Sequence, residues 1–206
     1  MAEATIAAPD AHVGHDYGTS TGLSNEKLGM WVFLSSDCLL FGALISTYLL
    51  LHKRVPATAP GPRPNDVFDI PFTSVSSFVL LTSSLTMVLA VSALTRGDMK
   101  RNRLWLSTTA LLGTIFIGGQ VYEFTSFVKE GLGFTTNIFG SAFYTLTGFH
   151  GVHVSIGILM LVSLVGLSLR GKLGQEKAET VEIIGLYWHF VDIVWIIIFT
   201  VVYLAA

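Results

Sequence analysis

The chain alternates long apolar runs with shorter polar breaks. Stretches of about 20 apolar residues, enough to cross ~30 Å of hydrocarbon at ~1.5 Å per residue, occur five times, at 28–51, 72–95, 104–128, 139–169 and 182–204. The fourth run is longer than a bilayer is thick, so it is expected to tilt or project. Between the first two runs lies "RVPATAPGPRPNDVFDIP", whose prolines and glycine predict an irregular loop of some length. The other connections are short, and no period of 20 to 50 residues repeats, which excludes a solenoid. The pattern predicts an all-α integral membrane bundle of five transmembrane helices over 28–206. Residues 1–27, rich in Ala, Gly, Ser and Thr, are expected to form a flexible tail. His12 and His15 in that tail are read as solvated side chains, and the tail lacks the layout of a signal peptide.

Composition strengthens this picture. Of the 206 residues 51% are hydrophobic and only 13% charged, and all twelve Lys and Arg lie outside the apolar runs, where a mid-membrane cation would cost roughly 2.5 to 3.5 kcal/mol. Alternating connections carry Lys27, Arg96, Lys100, Arg101, Arg103, Arg170, Lys172 and Lys177 on one side. The other side has Lys53, Arg54, Arg63 and Lys129. The positive-inside tendency then predicts a cytoplasmic N-terminus and a periplasmic C-terminus. A net charge of -2 with scattered cations gives no basic patch for nucleic acid. Cys38 is the only cysteine, so an internal disulfide is impossible and a thiolate metal site is not expected.

The ionisable residues at depth are Asp37, Glu123, His150, His153, His189 and Asp192. Counting from the membrane faces puts Asp37, His150, His189 and Asp192 about 14 to 18 Å deep at one common level, with Glu123 nearer the outer surface. A charged group there costs several kcal/mol unless it is paired, so each is expected to face protein. In "GLYWHFVDIVWIIIFTVVYL" His189 and Asp192 are i,i+3 neighbours that can share a hydrogen bond, with Trp188 and Trp195 a turn away on either side of Asp192. On that reading Asp192→Leu would strand His189 and weaken the bundle. Gly148, Gly151, Ser155 and Gly157 around the histidines, and Gly113, Gly118 and Gly119 ahead of Gln120, would let neighbouring backbones approach closely.

"HGVH" sets His150 and His153 about a turn apart, usable for a metal with His189 as a third nitrogen, and only His150 opposite His189 would suit a haem. The alternative is that these imidazoles bond carboxylates and carbonyls between helices, or form part of a proton ladder. A small proton-coupled transporter using Asp37 and Asp192 is a further alternative, though the internal repeats and broken helices of such proteins are not evident.

Four blocks in order, "MWVFLSSDCLLFGALISTY" (30–48), "GQVYEF" (119–124), "GSAFYTLTGFHGVHVSIG" (140–157) and "YWHFVDIVWIIIFTVVYL" (187–204), resemble subunit III of the haem-copper terminal oxidases, in its short five-helix bacterial form. The resemblance implies a non-redox subunit of a proton-pumping cytochrome c oxidase in the bacterial inner membrane. Such a subunit binds phospholipid but no metal, the haem and copper residing in partner subunits. Subunit I would be its main contact, with subunit II and small subunits beside it. It further implies that Asp37, with Glu123, is linked to proton uptake and a lipid cleft, and that His150, His153, Trp188, His189 and Asp192 form a structural polar network. A catalytic centre is not expected in this chain. The family position of Asp37 is often Glu. The two additional N-terminal helices of longer relatives are lacking, and Val91 and Ser92 stand where those relatives carry a His pair that would partner the buried acid. A quinol oxidase subunit III is the near alternative, and a free-standing b-type haem protein the one from another class.

Overall fold

The computed structural model describes residues 22, 24–52, 61 and 68–204. Residues 1–21, with His12 and His15, and most of the first loop lie outside the described residues. Five helices, each long and apolar enough to cross a membrane, account for nearly all of the rest. They are α1 (Asn25–His52), α2 (Ile70–Thr95), α3 (Met99–Lys129), α4 (Ile138–Leu169) and α5 (Ala178–Phe199), with a 3-10 turn at Gln175–Lys177 and a π-helical turn at Thr200–Leu204 closing α5. Among the described residues there is no strand.

Helices start up to five residues before the apolar runs because polar caps, not hydrophobicity, set their ends. Asp69, Asp98 and Asn137 each accept a hydrogen bond from a first-turn backbone N–H, at Phe72, Arg101 and Gly140. Asn25–Lys27, read as tail from the sequence, is the first turn of α1, with Ser24 accepting from the Lys27 N–H at 3.3 Å. At the opposite ends, α2 and α4 stop at Gly97 (φ +78°) and Gly171 (φ +67°), whose left-handed backbone lets the next N–H reach back to Ala93 and Leu167.

Apolar side chains cover the outside of the bundle as well as filling its core, and several polar ones are buried among them. Leu39, Phe78 and Leu159 are well exposed, while Thr73, Ser83, Thr86, Asn102, Thr109 and Glu123 are buried. α2 and α3 share the largest interface, α4 packs on α3, α5 fills the space between α2 and α4, and α1 leans on α4 and α5. Lipid is as apolar as leucine, so helices associate through close packing and hydrogen bonds. Trp188, fully buried on α5, supplies both. Its indole lies where a Cβ on Gly113 of α3 would come within 2.6 Å, and one on Gly157 of α4 within 2.8 Å. Its Nε1–H donates to Ser83 of α2 at 3.0 Å. One side chain therefore joins four helices.

Adding a methyl group at Gly157 must displace an indole that has nowhere to go. Gly157→Ala is expected to lower stability by about 1–3 kcal/mol, the usual cost of overpacking, while Gly148→Ala, with nothing within 4 Å of its Cβ, is expected to be neutral. Unfolding of the full chain in mixed micelles, followed by tryptophan fluorescence, compares the two.

Candidate functional site: an intramembrane polar network

The polar side chains group into three sites along the bundle. At the end where α2 begins and α5 finishes, Thr73 donates to Glu123 Oε1 at 2.5 Å, and the Tyr203 hydroxyl also hydrogen-bonds this carboxylate. The π-helical turn at Thr200–Leu204 carries Tyr203 to that position, where its ring lies 4.6 Å from Phe68. Glu123 thus ties the ends of three helices together and is itself buried.

Asp37 faces α4. Its Oδ2 lies 3.6 Å from His153 Nε2, so α4 supplies the acid with a partner in place of the absent pair on α2. His153 Nδ1 donates to the Phe149 carbonyl at 2.7 Å. In a neutral ring that bond leaves Nε2 bare, opposite an oxygen that has no hydrogen bond of its own. Two lone pairs repel, so the contact is favourable only when a proton resides on one of the two atoms. Tyr187 on α5 braces the site by donating its O–H to the His153 carbonyl at 2.9 Å.

The third group surrounds α5. Trp195 Nε1–H donates to Ser77 at 2.8 Å, repeating two turns along the helix the bond that Trp188 makes to Ser83. The Trp195 ring lies flat on His150 at 4.9 Å and 24°, while Phe41 and Phe116 meet the imidazole edge-on. His150 is wholly inaccessible, and neither ring nitrogen has a hydrogen-bond partner.

The expected bond between His189 and Asp192 is not formed. His189 Nδ1 instead pairs with the Ser84 hydroxyl of α2 at 2.5 Å. Asp192 is 3% exposed, and although Ser84 lies against it, neither carboxylate oxygen makes a hydrogen bond of good geometry. The physical reason is reach, since an i,i+3 aspartate is short and a serine on the facing helix approaches the ring more directly. The spacing of "HGVH" likewise does not make a shared face. His150 turns into the aromatic cage and His153 toward α1, while His189 turns to α2, so the three imidazoles do not converge. Trp195 occupies the space against His150 that a porphyrin would need. Among the described residues no group of three or more His, Cys, Asp or Glu is arranged to hold a metal ion.

The sequence reading passed over the α2 hydroxyls that serve this network, Thr73, Ser77, Ser83, Ser84 and Thr86, the last of these bonding Thr109 of α3 at 2.8 Å. Their density in one apolar run, "FTSVSSFVLLTSSLT", was the available signal.

Fold and site together define a multi-pass helical membrane protein with an internal polar network. The model of the family "Cytochrome c oxidase subunit III" matches residues 6–206, and the chain belongs to that family. It is similar to cytochrome c oxidase subunit 3 of Bacillus sp. (strain PS3), 43% identical over 87% of this chain and 86% of the relative. It is also similar to cytochrome bo(3) ubiquinol oxidase subunit 3 of Pseudomonas aeruginosa, 42% identical over 95% and 93% of the two chains. Cytochrome c oxidase subunit 3 of Thermostichus vulcanus is 39% identical over 97% and 92%.

Three substitutions check this geometry. Glu123→Leu leaves the Tyr203 hydroxyl without its acceptor and is expected to cost about 1–3 kcal/mol, Thr73 keeping the Asp69 carbonyl at 3.0 Å, whereas Glu123→Gln keeps an acceptor and costs less. Asp192→Leu, expected from the sequence to be damaging, removes no well-formed bond and is expected to change stability little. Chemical unfolding of the full chain in mixed micelles ranks all three.

Proposed function

We propose that the chain acts as the non-redox subunit III of a proton-pumping cytochrome c oxidase. It stabilises the catalytic subunit I, binds phospholipid and supports proton uptake in aerobic electron transport. The observation that carries this reading is a family match over almost the whole chain, joined to a bundle whose deep ionisable groups turn inward. Haem and copper belong to partner subunits, and subunit II and small subunits complete the assembly. The excess of Lys and Arg on one set of connections supports a cytoplasmic N-terminus and a periplasmic C-terminus in the bacterial inner membrane.

Within this reading Asp37 and His153 form a proton-handling pair, because their contact needs a proton and lies between two helices. Glu123, bonded on both sides, serves as a fastening beside the lipid cleft. His150, Trp188, His189 and Asp192 belong to the interior network. A quinol oxidase is the second reading, favoured by the Pseudomonas relative and by quinol oxidase subunit 3 of Bacillus subtilis, 40% identical over 92% of this chain. Oxidation assays of the complex that co-purifies with the chain, supplied with reduced cytochrome c or with quinol, decide between them.

Asp37→Ala is expected to leave assembly intact while slowing proton uptake or shortening the catalytic lifetime of the complex. Turnover followed to inactivation checks this, and parental rate and lifetime would remove Asp37 from the mechanism.

A further inference from the structure

α1 and α2 do not close over α5 along its first turns. Between them runs a groove of about 640 Å³, lined by Lys27, Trp31, Val91, Ser92, Glu182 and His189 among others. Lys27 and Glu182 are ion-paired at 2.7 Å on its wall, and His189 is the deepest ionisable residue to reach it. The same imidazole holds Ser84 on its Nδ1 side, and Ser84 in turn lies against Asp192, a buried carboxyl with no well-formed hydrogen bond. Groove, imidazole, hydroxyl and carboxyl therefore stand in sequence from the surface into the bundle.

We propose that Asp192 is a proton-exchanging acid inside the bundle, connected to water in the groove by a relay through His189 and Ser84. One hydroxyl has one hydrogen, and the 2.5 Å contact can be made in two ways. In the first, His189 Nδ1–H donates to Ser84 Oγ, and the Ser84 hydrogen turns to an Asp192 carboxylate. In the second, Ser84 donates to a bare Nδ1, and a neutral Asp192 carboxyl donates to Ser84 Oγ. A proton delivered to Nε2 by a hydronium ion entering the groove, which leaves as water, converts the first into the second: Nδ1 releases its hydrogen to Ser84, and Ser84 passes its own to Asp192. Every N–H and O–H bond broken is matched by one formed, and the net change is one proton gained by Asp192. The reverse sequence returns it.

Little else can supply that proton. α2 has no ionisable side chain from Ile70 to Thr95, and α3 has none from Leu104 to Gln120. On α1, Asp37 is engaged with His153 of α4, and Lys27 is engaged with Glu182. His150 of α4 is walled in by Trp195, Phe41 and Phe116.

The test is infrared spectroscopy of the full chain in phospholipid nanodiscs, and it does not depend on the oxidase reading because the signal comes from this chain alone. Asp192→Asn is expected to delete one carbonyl-stretch band of a protonated carboxylic acid, identified in the difference spectrum. On transfer to heavy water that band shifts as its proton exchanges. Ser84→Ala and His189→Phe are expected to slow the shift by about a hundredfold, the scale of a positioned proton-transfer group, and Ser84→Thr, which keeps a hydroxyl, to restore it. The sign is diagnostic, because a merely loosened bundle admits water and exchanges faster. A spectrum in which Asp192→Asn deletes no such band, or an exchange rate unchanged or raised in both Ser84→Ala and His189→Phe, would overturn the relay.

Discussion

Lipid solvates a leucine about as well as a protein interior does, so the hydrophobic effect cannot gather these five helices. What remains is contact at close range and hydrogen bonds made where no water competes. Trp188 and Trp195 provide both at once. Each indole gives a flat apolar surface to its neighbours and one N–H to a serine of α2. The glycines at 113 and 157 form the notch that admits Trp188, so these three residues depend on one another. With α5 fixed in this way against α2, α3 and α4, the positions of His189, Asp192 and His150 follow.

Within that frame the deep polar groups differ in how well they are satisfied, and the difference separates their roles. Glu123 has donors from two helices and costs the bundle little. Asp37 and His153 form a contact that is favourable only with a proton between them. Asp192 and His150 are buried with polar atoms left over. An unpartnered buried polar group is a cost that an apolar residue of similar size would avoid. Stability alone therefore gives no reason for an acid at position 192, and its neighbours Ser84 and His189 supply a chemical one.

The five rods were legible from the apolar runs because bilayer thickness fixes their length. Their ends were displaced by a few residues, because Asp69, Asp98 and Asn137 cap outside the hydrocarbon, where hydropathy has no say. That acids and imidazoles turn inward was also legible, from the cost of charge in lipid. Their partners were not. Helical spacing states which residues share a face of one rod, and it made His189 and Asp192 look like a pair; the deciding atom, Ser84 Oγ, belongs to another helix 105 positions earlier in the chain. The hydroxyls of α2 were hidden for a related reason. A serine or threonine in an apolar run can satisfy itself on the carbonyl one turn back, as Ser74 and Thr82 do, so the residue type alone does not reveal which ones reach across.

The histidines show the same limit on the side of chemistry. "HGVH" has a spacing that a metal could use, and three imidazoles at one depth invite that reading. Coordination needs their nitrogens to meet, and here each ring is already committed to a different neighbour. His153 is turned by the Phe149 carbonyl and Asp37, His189 by Ser84, and His150 by the face of Trp195. Two of those three commitments are polar contacts to side chains of other helices, and none leaves a lone pair aimed at a common point. Of the three, only His150 is placed by the serine-to-tryptophan bonding that holds the rods together, through the Trp195 ring that Ser77 fixes; the other two are turned by polar neighbours on other helices or one turn back.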